Sequence, residues 1–129
     1  MNPLTESREA IVAALEPLGV TIYGTPPETV TPPAAVILPS PGEWYLPSTY
    51  GSMQVNWQVT LMATMQGSNA SALERLESLL WDADAALEGV GLTGHPSSPR
   101  ILKIGPAEVA ATDLPVQVHV TTTTEGTTP

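Results

Sequence analysis

The stretch from Met53 to Met65 alternates between apolar and polar residues, and it constrains the fold more than any other part of the chain. A period of two is typical of a β-strand with one buried face. Such a strand has to lie in a sheet that is covered on one side. The residues predicted to face the core are Met53, Val55, Trp57, Val59, Leu61, Ala63 and Met65.

A helical period follows after a break at Gly67-Ser68-Asn69. The apolar spacing of three and four residues predicts a helix from about Ala70 to Glu88, capped by Ser68 or Asn69 and ended by Gly89. Its predicted buried stripe is Leu73, Leu76, Leu80, Ala83 and Leu87. The opposite side of this helix carries acidic residues and is predicted to form an acidic surface, which is most simply a helix face in contact with solvent. The residues of that surface are Glu74, Glu77, Asp82, Asp84 and Glu88.

Shorter elements flank this strand and helix. Upstream, the pattern predicts a first helix that is capped by Thr5 or Asn2 and runs to about Pro17. Its apolar side carries Ile11, Leu15 and Leu18. Downstream, Gly105-Pro106 predicts a bulge or bend within a strand, and Thr112-Asp113 predicts a tight turn. The predicted strands besides the long one are Val20–Tyr23, Ala34–Leu38, Ile101–Ala111 and Leu114–Thr121.

These elements indicate an α+β fold in a single domain over residues 1–129, with a polar tail from about residue 122. We expect an antiparallel or mixed sheet of about four to five strands, with two helices packed on one face. The other face is expected to be rich in amides and hydroxyls. Clusters of Pro and Gly predict loops at residues 24–33, 39–51 and 89–99.

The loop before the long strand carries an aromatic cluster. Trp44, Tyr45, Leu46 and Tyr50 lie on a segment whose Pro and Gly content argues against a core element. The segment can be a lid over one end of the sheet. Alternatively it is a protein–protein interface, because Trp and Tyr are favoured as interface anchors.

Composition argues against several function classes. The formal net charge is −9, and four basic residues are dispersed along the chain, so specific DNA binding is not expected. The chain has no Cys and therefore no disulfide or thiolate metal site. It shows neither a membrane-span pattern nor a signal peptide, which predicts a cytoplasmic place of assembly without membrane contact.

Catalytic patterns are weak. His95 and His119 stand outside any metal-ligand spacing, and no cofactor or metal is expected. A triad of Ser97, His95 and Asp113 can be imagined, but no nucleophile-elbow motif supports it. Gly89-Val90-Gly91 is followed by a strand rather than by the helix of a phosphate loop. The sequence therefore predicts a protein that is not an enzyme.

The order of elements resembles the tail terminator, or tail-completion, proteins of long-tailed phages that infect actinobacteria. The resemblance extends from about Thr5 to Thr123. It depends on the opening helix followed by Leu-Gly-Val, on Ala-Ala-Val-Ile-Leu-Pro, on the long strand with its helix, and on two closing strands that end in Thr. No short functional motif accompanies it, so no residue role can be transferred.

The resemblance implies a virion structural protein at the junction of tail and neck. Such a protein forms a hexameric ring with copies of itself, caps the tail tube, stops tube polymerisation and docks to the head-side connector. DNA would only pass through the lumen, and the acidity of the chain suits such passage. Two alternatives stay open: a neck or head–tail adaptor protein of the same virion, and a small hydrolase or ligand-binding domain.

Overall fold

The computed structural model describes residues 2–25, 27–47 and 52–121. Within these residues the chain has the predicted α+β fold, with two α-helices and a mixed sheet of seven strands, which is more strands than the sequence predicted. The helices are α1 (Pro3–Leu15) and α2 (Asn69–Leu87). The strands are β1 (Thr21–Tyr23), β2 (Ala34–Pro39), β3 (Tyr45–Pro47), β4 (Ser52–Thr64), β5 (Leu92–Thr93), β6 (Arg100–Ile104) and β7 (Ala107–Thr121).

The long strands β4 and β7 form the centre of the sheet. They pair antiparallel along their whole overlap, from Ser52 opposite Thr121 to Thr64 opposite Val109. The main strand order is β1-β2-β4-β7-β5, and β1 and β2 are parallel. Strand β3 pairs with β4 on the side of β2, whereas β6 pairs with β7 on the side of β5. The sheet therefore has β1 and β3 along one edge and β5 and β6 along the other.

Both helices cover the same face of the sheet, which we call the helix side. The alternating residues of β4 and β7 point into this layer, as the period of two predicted. Asn2 caps α1 by accepting a hydrogen bond from the Thr5 amide (2.8 Å), and Ser68 caps α2 by accepting one from the Ser71 amide (3.1 Å). The largest fully buried side chains on this side include Ile11, Leu15, Ile37, Leu61, Leu76, Leu87 and Leu114.

The apolar stripe of α2 is rotated relative to the prediction. The buried residues are Ala72, Leu76, Leu79, Ala83 and Leu87. Leu79 thus replaces Leu80 at the centre, Leu80 is half-buried, and Leu73 is 41% exposed. Because Leu79 and Leu80 are both leucines, the sequence pattern fits either orientation of the helix, and packing on β4 and β7 decides between them.

The tight turn predicted at Thr112-Asp113 is wrong, because β7 runs through both residues. The turn of the last hairpin lies instead at Gly105-Pro106, between β6 and β7. Gly105 has a positive φ of 59°, a conformation that glycine adopts without steric cost. The polar side chains in mid-strand are tolerated because both are hydrogen-bonded: Thr112 donates to the Ser97 carbonyl, and Asp113 accepts from Thr60.

Two further expectations need correction. The predicted loops at 39–51 and 89–99 contain the short strands β3 and β5. The sheet face opposite the helices, here called the open side, is not polar throughout. At one end it holds a second apolar cluster, part of which Val30 covers from the segment between β1 and β2. The buried members of this cluster are Val30, Ala34, Val36, Met62, Val109 and Ala111.

Candidate interaction surfaces

The aromatic segment before β4 covers part of the core and is itself partly exposed to solvent. Trp44 packs edge-on against the buried ring of Trp57, with the ring centroids 5.7 Å apart, and Tyr45 packs edge-on against Trp44 at 6.1 Å. The Asn56 side-chain amide holds the segment by donating to the Glu43 carbonyl (3.0 Å). Trp44 therefore covers a core residue with one edge of its ring.

Exposure separates the members of this segment. Trp44, Tyr45 and Leu46 are 37%, 46% and 36% exposed, so a substantial part of each side chain contacts solvent. We call these three residues the β3 patch. It lies on the β1 and β3 edge of the sheet, since β3 pairs with β4 and with no other described strand. Tyr50, the fourth predicted interface residue, lies outside the described residues.

Four of the five predicted acidic residues form a line along α2. Glu74, Glu77, Asp84 and Glu88 are separated by intervals that place them on one side of the helix, and Trp81 lies between the second and the third. Asp82 points to a different side of the helix and is exposed. We call the four aligned acids the acidic stripe. Asp84 is its one half-buried member, and it accepts a hydrogen bond from the Thr93 hydroxyl.

Trp81 forms one wall of a cleft between α2 and the segment that leads from β5 to β6. The side chain is 77% exposed, which makes it more exposed than any other large apolar residue in the described part of the chain. The cleft has a volume of about 360 Å³. We call it the Trp81 cleft; its lining residues are Glu77, Leu80, Trp81, Asp84, Thr93, Gly94, Pro96 and Leu114.

The opposite edge of the sheet has an apolar residue of its own. Ile101 on β6 is 58% exposed and borders a small hollow of about 170 Å³ with Leu73 of α2. Strand β6 pairs with β7 and with no other described strand, so its outer edge is free within the described residues. We call Leu73 and Ile101 the β6 patch. It and the β3 patch lie on opposite edges of the same sheet.

A groove of about 260 Å³ lies on the open side and contains one polar network. Asp113 accepts hydrogen bonds from Thr60 (2.7 Å) and from Arg100 (3.1 Å), and it also forms an ion pair with Arg100 at 3.0 Å. The surrounding wall is mostly aliphatic, including Leu102 and Ile104 of β6. Within this network the charges of Asp113 and Arg100 are paired with each other, and the buried Thr60 hydroxyl has an acceptor.

Of the residues considered for catalysis, Ser97 and Asp113 are in contact, but His95 does not join them. Ser97 Oγ accepts a hydrogen bond from the Asp113 backbone amide (2.9 Å), and Arg100 donates to the same Oγ (3.4 Å). His95 is exposed and forms no hydrogen bond with Ser97 or Asp113, and His119 is exposed on the open side. Across residues 2–25, 27–47 and 52–121, no group of three His, Asp or Glu side chains could hold a metal ion.

Trp81 is the surface residue that sequence reasoning missed. It was included in the predicted helix without a role of its own, although its spacing to Glu77 and Asp84 puts it on the acidic side of that helix. A tryptophan in line with carboxylates is the signal that could have identified it. Its position on the charged side means that burial in the core of the monomer does not explain it.

Comparison with protein-family models and with curated proteins finds no match for this chain. Among the described residues, no helix has the length and apolar character that a bilayer span requires.

Proposed function

We propose that this chain is a ring-forming tail terminator of a long-tailed phage. In this role it caps the tail tube, stops tube polymerisation and presents the docking surface for the head-side connector. The observation that carries the proposal is the pair of dissimilar apolar patches on opposite edges of one open sheet. These are the β3 patch at one edge and the β6 patch at the other.

Two dissimilar patches favour head-to-tail association. An isologous dimer uses the same surface twice, whereas a contact between two different surfaces of identical chains repeats and closes into a ring when the rotation permits. The outer edges of β3 and β6 are short, and each presents backbone groups without a strand partner among the described residues. Such edges accept strands or loops from a neighbouring chain. A repeated contact of the β3 edge with the β6 edge therefore supports a ring of several copies.

The charge of the chain fits the same role. The formal net charge is −9, from 13 acidic and 4 basic residues. A negatively charged lumen repels the phosphate backbone, so DNA can pass without sticking. The resemblance from Thr5 to Thr123 in the order of elements supports the same assignment, and it is what relates ring formation to the tail tube.

Tube assembly tests this function directly. The tail tube protein of the same virus is polymerised with and without this chain, and tube lengths are measured by negative-stain electron microscopy. We expect shorter tubes with a ring at one end. Tyr45→Ser and Ile101→Ser should abolish the effect, while Leu92→Ser, which removes another exposed apolar side chain, should preserve it. Unchanged tubes together with binding to the portal side would contradict the terminator assignment and would identify a neck adaptor.

A further inference from the structure

The Trp81 cleft combines an apolar hollow with negative charge. Leu80, Pro96 and Leu114 contribute apolar surface, and the indole of Trp81 stands at the mouth with most of its ring in solvent. Glu77 and Asp84 lie in the same wall. The cleft volume of about 360 Å³ is within the range of pockets that accept small groups or a few side chains. A ligand that fills this cleft has to be apolar in part and positively charged in part.

Among the described residues, no basic side chain neutralises the negative charge of the cleft. The sequence contains four Lys and Arg residues, and none of them lies within ion-pair distance of a carboxylate of the acidic stripe. Arg75 donates to the Thr64 and Gln66 carbonyls, at 2.8 and 2.6 Å. Arg100 is paired with Asp113. Lys103 lies opposite Glu108 in the register of β6 and β7.

The small number of basic residues also argues against a second copy of this chain as the occupant of the Trp81 cleft. Arg8, the remaining basic residue, lies beside Gly24 at the α1 end of the sheet. A copy of this chain would therefore bring a surplus of carboxylates to the acidic stripe, and like charges at an interface oppose association. Charge complementarity instead favours a different protein with a basic surface.

We propose that the Trp81 cleft docks an arginine- or lysine-bearing segment of another protein. One apolar side chain of that segment enters the hollow against Leu80 and Pro96. A neighbouring cationic side chain lies over the face of the Trp81 indole, where the ring quadrupole attracts it, between the carboxylates of Glu77 and Asp84. The chemistry of the cleft is the same whether the chain assembles into a ring or not, so this inference does not depend on the proposed function.

A peptide titration tests the proposal. The probe is a short N-acetylated peptide with Leu and Arg at helical spacing, and the reference is the same peptide with neutral citrulline in place of Arg. The protein carries Trp44→Phe, because the remaining tryptophans are then the buried Trp57 and the exposed Trp81, so a change in fluorescence reports the cleft. We expect saturable binding of the Arg peptide that weakens as salt is added, and much weaker binding of the citrulline peptide.

Matched variants distinguish binding in the Trp81 cleft from general electrostatic attraction between a basic peptide and an acidic protein. Isothermal titration calorimetry is used here, since it does not require a tryptophan. Trp81→Ala should weaken binding by about tenfold or more. Glu77→Gln should weaken it severalfold, whereas Asp82→Asn, which removes the same charge from a different side of α2, should leave it nearly unchanged. Absence of binding, or equal losses in Glu77→Gln and Asp82→Asn with no effect of Trp81→Ala, would overturn the proposal.

Discussion

The indole nitrogen of Trp57 donates a hydrogen bond to the hydroxyl of Ser7 at 2.8 Å, and both side chains are buried. The two residues are 50 positions apart, so this bond connects α1 to the central strand β4. Ser7 in turn donates to the Leu4 carbonyl at 2.8 Å, within its own helix. A polar pair of this kind fixes where α1 lies on the sheet, because each group loses its partner if the helix shifts.

Ser7→Ala should therefore lower the free energy of unfolding by about 1–3 kcal/mol, since it leaves a buried indole N–H without an acceptor. Chemical denaturation measures this loss. Ser78→Ala, the same substitution at an exposed position of α2, is the control and should change stability only by tenths of a kcal/mol. In a double-mutant cycle, Trp57→Phe should cost less in the Ser7→Ala background than in the wild type. Additive losses would show that the hydrogen bond contributes little.

Gly91 is required for the close approach of β5 to β7. A Cβ atom at this position would lie 2.0 Å from the Gln117 carbonyl oxygen, which is backbone in the centre of the packed sheet and cannot move aside cheaply. We expect Gly91→Ala to destabilise the fold by at least about 1–3 kcal/mol, as overpacking does. Gly89→Ala is the control, since a Cβ there meets nothing within 4 Å. Equal melting temperatures for the two variants would contradict the observed packing of β5 on β7.

In the polar network on the open side, the loss of Asp113 should cost more stability than the loss of Arg100. Thr60 is buried and donates to Asp113, whereas the Arg100 side chain is 39% exposed and can be solvated when its partner is lost. Asp113→Ala should therefore cost about 1–2 kcal/mol, because it leaves the Thr60 hydroxyl unsatisfied. Arg100→Ala should cost less than about 1 kcal/mol, as exposed ion pairs do. A larger loss for the arginine variant, measured by urea denaturation, would show that the ion pair and not the buried hydroxyl dominates.

Two substitutions in the β3 patch should affect stability and association to different degrees. Trp44→Ala uncovers the ring of Trp57 and removes an aromatic pair, so it should lower stability by about 1 kcal/mol or more as well as weaken assembly. Tyr45→Ala removes a half-exposed ring that contacts Trp44 and should weaken assembly with a smaller change in stability. Thermal melting together with sedimentation velocity measures both effects. A Tyr45 variant that melts lower but associates normally would show that the segment is a lid only.

Much of the fold could be predicted because β4 has a period of two and α2 has a helical period, which identify the type of each element. The alternation in β4 predicted the buried residues Val55, Trp57, Val59, Leu61 and Ala63, whereas Met53 and Met65 are only partly buried. Each helix cap is one of two predicted candidates: Asn2 rather than Thr5 for α1, and Ser68 rather than Asn69 for α2. The course of β7 could not be predicted, since Thr112-Asp113 has the local chemistry of a turn. The partners that satisfy these side chains, Ser97 and Thr60, come from other parts of the chain, and only the folded structure brings them together.

The surfaces were less predictable than the fold. The predicted acidic surface includes the acidic stripe but also Asp82, which points to a different side of α2. The predicted orientation of α2 is wrong by about one residue, because Leu79 and Leu80 both fit the apolar pattern. As a result Leu73, which was predicted to be buried, is 41% exposed. The second apolar cluster was also missed, because Val30 lies in a Pro-rich segment where no periodicity marks a buried residue.

The most direct test of the central proposal is the solution mass of the wild-type protein over a wide concentration series, measured by light scattering after size exclusion. Head-to-tail contact between the β3 patch and the β6 patch predicts a closed oligomer near six times the 13.5 kDa chain mass, with few intermediate species. Tyr45→Ser and Ile101→Ser should each reduce this mass to that of a single chain. A wild-type protein that stays monomeric at every concentration, with or without tail tube protein, would contradict the ring account.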